Sequence, residues 1–121
     1  MKSRRSFLAT ALAASAAPTF RWPDNKKLAV SLTWDDARLS QIDTGLNLLE
    51  ELKLKGTFYL SLPAMKRRTD GWKEMMRQGH EIGNHSTAHA CTGNYRFTRA
   101  LEDFTIEEMA ADIDNANNEI E

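Results

Sequence analysis

Two adjacent carboxylates, Asp35 and Asp36, follow directly on an apolar run, and that placement constrains the chain more than any other feature. A strand sends successive side chains to opposite faces, so neighbouring carboxylates can converge on one cavity only where the strand ends and the backbone turns. Leu28-Ala29-Val30-Ser31-Leu32 reads as that strand, which puts the Asp pair past its carboxyl end. Further on, Gly83-Asn84-His85-Ser86-Thr87-Ala88-His89 follows a second strand and spaces two imidazoles four residues apart. On a helical turn that spacing puts both rings on one side, where they can share a cation. One carboxylate and two imidazoles leave coordination positions open to water and substrate, and the other carboxylate is then available as a base.

Each half has a plainer explanation when taken singly. An Asp pair after a strand is usually a turn or a helix cap, and an isolated His pair is usually a surface feature. His80, preceded by Gly79, has no spacing that suggests a role. The ordered combination of the Asp pair with His85 and His89 is what favours one metal site.

The elements between and after these motifs alternate in type. Ser40 with Asp43 three residues on predicts an N-capped amphipathic helix carrying Ile42, Leu46, Leu49 and Leu52, with Gly56 as its C-cap. Thr57–Leu60 reads as the next strand, closed by Pro63. A short helix capped by Thr69-Asp70 carries Trp72, Met75 and Met76 as far as Gly79, and Glu81-Ile82-Gly83 is a third strand. A β-α-β order implies a parallel sheet. Residues 91–103 lack a period and read as a loop, in which Tyr95, Arg96 and Phe97 either face a sugar or pack, packing being the commoner role. Thr105 with Glu108 caps a final helix whose apolar stripe is Ile106, Met109, Ile113 and Ile120.

Thr33-Trp34-Asp35-Asp36 resembles the first motif of the polysaccharide deacetylases, the NodB-homology domain of carbohydrate esterase family four, and His85-Ser86-Thr87-Ala88-His89 resembles their second. Gly56–Leu60 and Gly79–His85 are similar to that family's connecting strands, in the same order, so the resemblance spans roughly residues 27–121. Ala37 departs from it, standing where the family usually has glycine. The resemblance implies an α/β fold, a distorted (β/α) barrel of which this chain would be the first half. It also implies hydrolysis of N- or O-acetyl groups on an acetylated polysaccharide or oligosaccharide. Asp35 would be the base and Asp36, His85 and His89 the ligands of a divalent cation, Zn2+ ahead of Co2+, Ni2+ or Mn2+. The family's later motifs, which supply an arginine, the oxyanion groups and a histidine acid, have no counterpart in residues 1–121. The chain therefore reads as cut short and inactive by itself, since a (β/α) barrel commonly needs roughly 200–250 residues.

Residues 1–17 read as an export signal, with a basic start, an apolar run from Phe7 to Ala17 and the small residues Ala14-Ser15-Ala16. Ser3-Arg4-Arg5-Ser6-Phe7-Leu8 resembles the twin-arginine motif, which implies a bacterial periplasmic or extracellular protein. The run is too short to span a bilayer, and no cysteine follows it to anchor a lipid. Residues 18–25 read as a linker and 26–121 as the domain. Removing Lys2, Arg4 and Arg5 with the leader leaves 13 basic against 17 acidic residues, a balance of −4 that argues against nucleic acid as a partner. Cys91, the sole cysteine, excludes a disulfide within residues 1–121 and reads as a small buried residue, or one that pairs outside this segment, rather than a thiolate ligand.

Two other classes keep the same residues. A metal-dependent hydrolase or lyase of another substrate would use the same ligands. A non-catalytic exported carbohydrate-binding or degenerate module would keep the fold without turnover.

Overall fold

The sheet is built on β2, Thr57–Leu60, which pairs in parallel with β1, Thr33–Trp34, on one side and β3, Glu81–Asn84, on the other. The computed structural model describes residues 20–95 and 98–121. The leader at 1–17 therefore lies outside the described residues, as do Arg96 and Phe97. Two units divide at residue 30. In the first, a 3-10 turn spans Pro23–Asn25 and the Phe20 ring stands edge-on to Trp22; everything below concerns the second. No helix among the described residues is long and apolar enough to cross a membrane.

The first strand lies past the apolar run that predicts it: β1 is Thr33–Trp34, and none of Leu28–Leu32 belongs to a strand. Its ladder begins with the Leu32 carbonyl, which accepts from Thr57 N at 3.0 Å, and the register sets Thr33 opposite Thr57. A strand exists only where a partner meets it, and β2 starts at Thr57, opposite Thr33.

After β1 the chain enters a π-helical turn, Gln41–Gly45, that continues as α1, Leu46–Glu51. Ser40 is not its cap: its own backbone is helical and its hydroxyl makes no capping bond. The side chain of Gln41 instead accepts from Arg38 N at 3.1 Å and donates to the Asp35 carbonyl at 2.7 Å. Gly56 is not the C-cap either. Lys53 takes the left-handed conformation at φ 54°, with Lys53 N bonded to Glu50 O and Leu54 N to Leu49 O, a Schellman ending. Gly56 is required for another reason, because a Cβ there would lie 2.4 Å from the Trp34 ring.

Helix α2, Leu62–Met65, and α3, Thr69–Arg77, follow β2. Pro63 sits in the first turn of α2 and Thr69 within α3, whose N-cap is Arg68. The same Schellman pattern closes α3, here with Gly79 at φ 85° as its left-handed residue. Phe58 and Leu60 of β2 form the core with Ile42, Leu46, Leu49, Leu62, Met65, Trp72 and Met75. Trp34 stacks on Phe58 at 4.9 Å.

The last helix, α4, Ile106–Ile120, opens on the predicted capping box of Thr105 and Glu108. Its covered side keeps only half of the predicted stripe, Met109 and Ile120, both half-buried. Ile106 and Ile113 are exposed, whereas Ala116 is fully buried and Asp112 and Ile120 half-buried on the same i, i+4, i+8 row. Tyr95, expected to pack, is exposed.

Candidate metal centre

Both motifs lie at the carboxyl ends of the parallel strands, the side on which α/β folds place their sites. Asp36 follows β1 by two residues and His85 directly follows β3. The backbone past β1 is unusual: Asp36 at φ 74° and Ala37 at φ 55° both occupy the left-handed region, and Ala37 is almost fully buried. Ser61 Oγ, past the end of β2, donates to the Asp36 carbonyl at 3.1 Å. Three consecutive strand ends thus meet around Asp36.

The histidine segment is not helical, against the expectation from its spacing. Ser86 and His89 have φ of 59° and 50°, and each breaks a right-handed turn. A compact loop brings the rings together instead, with centroids 4.7 Å apart and their planes at 73°. Nε2 of His85 lies 3.3 Å and Nε2 of His89 3.2 Å from the same atom, Oδ1 of Asp36. One ligand atom from each of the three residues falls within 4.8 Å of the others, and all three are half-buried. Donors that each stand about 2.0–2.2 Å from one cation are roughly 3 Å apart, so this donor set fits a divalent ion with N and O preference. Arg38 occupies the other oxygen, Oδ2, at 3.1 Å. Its guanidinium first, then His89, hold the Asp36 carboxyl below the usual carboxylate range, while partial burial acts in the opposite direction.

Asp35 stands outside this cluster, with an exposed side chain and its carbonyl held by Gln41. Cys91 is likewise outside it and half-buried. An open cleft of about 460 Å³ adjoins the cluster, lined by Asp36, Ser61, Pro63, Thr87, His89 and Thr98. Sequence reasoning missed the residues that hold the histidine loop. Asp112 of α4 accepts from Thr87 N at 3.0 Å and Ala88 N at 2.8 Å, and Asn115 donates to Thr87 Oγ1 at 3.0 Å. Asn84 accepts from Ser86 N at 2.6 Å and donates to Ile113 O and Asn117 Oδ1. An acidic residue on the inward row of a helix is the only sequence signal for this.

His80 is elsewhere, at the amino end of β3. It is buried, Nδ1 accepts from Gly56 N at 3.2 Å, and Nε2 stands 3.4 Å from Glu50.

The family profile described as polysaccharide deacetylase matches residues 22–121. A peptidoglycan-N-acetylglucosamine deacetylase of Bacillus cereus is 31% identical over 77 residues, covering 63% of this chain and 36% of that protein. A gellan lyase of a Bacillus species is 30% identical over 73 residues, 60% of this chain but 3% of that one. The solved structure of a carbohydrate esterase family four pseudoenzyme from Bacillus anthracis superposes with a TM-score of 0.61 at 25% identity, covering 79% of this chain and 31% of that one. The chain therefore spans about a third or less of the length of each.

Proposed function

That this chain belongs to the polysaccharide deacetylase family is the premise from which we propose that it carries the metal-binding half of a carbohydrate deacetylase centre. The observation that supports this most is the meeting of two imidazole Nε2 atoms on one oxygen of Asp36, at 3.2 and 3.3 Å. In this reading Asp36, His85 and His89 hold a divalent cation, Zn2+ first. When bound, such a cation makes water more acidic and polarises a carbonyl. Asp35 accepts the proton of the water that attacks an acetyl carbonyl, a role open to an exposed carboxylate next in the chain to Asp36. Arg38 favours the ionised form of Asp36, the form that binds a cation. The cleft bounded by Ser61, Pro63 and Thr98 admits the acetylated sugar of a polysaccharide.

Zinc content after purification and dialysis tests the reading. One equivalent in the parent, lost in His89→Ala, is the expected result, and a folded parent that takes up none would overturn it. Residues 18–121 alone should release little acetate from acetylated chito-oligosaccharides, because the chain covers 36% of the Bacillus cereus deacetylase. In a protein completed to the length of its relatives, Asp35→Asn should keep its metal and lose turnover on the order of 10²–10⁴-fold. Export through the leader belongs to the same proposal. Changing Arg4 and Arg5 to Lys keeps the charge but should block export, whereas unimpaired export would mean that the paired guanidinium groups are not read.

A further inference from the structure

We infer that Asp112 of α4 is a positioning residue for the metal centre, setting cation affinity by fixing the loop between His85 and His89; this rests on the metal-binding reading above. Its two carboxylate oxygens accept from successive backbone amides, Oδ2 from Thr87 N and Oδ1 from Ala88 N. Its own carbonyl accepts from Thr87 Oγ1 at 3.1 Å, and that hydroxyl in turn accepts from Asn115 Nδ2. Two turns of one helix thereby grip the middle of the loop on backbone and side chain together. The flanks are held separately, by Asn84 on Ser86 N and by Thr98 Oγ1 on the Ala88 carbonyl.

The loop needs such a hold because its own conformational preference opposes the geometry. Ser86 and His89 are both left-handed, a region that residues with a Cβ enter only when their surroundings impose it. A loop released from Asp112 relaxes toward ordinary backbone angles, and the two imidazoles then leave their common focus on Asp36 Oδ1. A charged acceptor is suited to this task, since hydrogen bonds from amides to a carboxylate are shorter and stronger than those to neutral groups. Asp112 stands outside the ligand cluster itself, so its effect on the cation would be exerted through the histidines it positions.

Cobalt(II) titration of the full chain, followed by visible absorption and by heat, tests the inference against a variant that weakens α4 without touching the loop. Thr105→Ala removes the helix cap and should lower thermal stability with parental cobalt affinity. Asp112→Ala should weaken cobalt binding by roughly 10- to 100-fold, the range for residues that orient metal ligands, and should change the absorption envelope of what does bind. Asn115→Ala and Thr87→Val, which cut the hydroxyl link alone, should give smaller losses in the same direction; these two decide the matter if Asp112→Ala does not fold. Parental affinity and spectrum in Asp112→Ala, or in both of the other variants, would overturn the positioning role while leaving the metal site intact. A parent that is folded by circular dichroism yet binds no cobalt would instead remove the metal-binding reading itself.

Discussion

His80 and His85 bracket β3, five residues apart in the chain, and the sheet uses them for opposite purposes. At the amino end His80 has no exposed side-chain surface, packs edge-on against Phe58 and accepts the Gly56 amide. Its neighbours are apolar core, a backbone donor and the carboxylate of Glu50, which is itself engaged by Lys55. At the carboxyl end His85 and His89 retain about a quarter and a third of their side-chain surface, and both face one carboxylate oxygen. The backbone differs as much as the side chains. Asp36, Ala37, Ser86 and His89 are all left-handed there, each at a cost on the order of 1–2 kcal/mol, whereas the turn into His80 uses Gly79, which adopts φ 85° freely. The amino ends of the strands carry one left-handed non-glycine residue, Lys53 in the turn before β2, against four at the carboxyl ends.

If that contrast is right, substitutions at the two ends should separate stability from cation binding. His80→Ala should cost the most stability, about 2–3 kcal/mol, from a cavity beside Phe58 and an unpaired Gly56 amide. Chemical denaturation would measure it, and zinc affinity of the folded protein should be unchanged. His85→Ala should do the reverse, with parental stability in the metal-free form and no zinc retained. Gly79→Ala forces a Cβ into the left-handed turn and should cost about 1–2 kcal/mol by the same measurement. Thr105→Ala should follow at about 1 kcal/mol.

The same cap has a pH signature. Glu108 is held below the usual carboxylate range by Arg99 first and by the Thr105 amide next. Its contribution is therefore present above its unfolded pKa and fades as pH falls through the folded value, so Glu108→Gln should flatten the acid limb of stability slightly. The smallest effect should be a gain: Lys53→Gly relieves the one Schellman ending that lacks glycine, by about 0.5–1 kcal/mol.

What was legible in the sequence was local. The capping box of Thr105 and Glu108 involves residues three apart, and the alternation of strands with helices implies the parallel sheet that the structure has. The order of the Asp pair and the two histidines pointed to one shared site without saying which Asp would join it; Asp36, His85 and His89 lie together in the structure. What the sequence hid depended on distant partners. The start of β1 is fixed by where β2 begins, and Gly56 is needed because Trp34 lies over it. The inward face of α4 carries Asp112 on the histidine loop and Ala116 in the core, with Ile106 and Ile113 outward despite their hydrophobicity. The histidine spacing suggested a helical turn, but two left-handed residues achieve the same convergence by a route that no periodicity signals.

Calorimetric zinc titration of the parent, Asp36→Ala and His80→Ala proteins tests the central claim most directly. A single site in the parent is expected, weakened by more than about 100-fold in Asp36→Ala, where one ligand of three is gone, and unchanged in folded His80→Ala. Equal zinc affinity in the parent and Asp36→Ala would contradict the account, because the two imidazoles would then be meeting on a carboxylate that holds nothing.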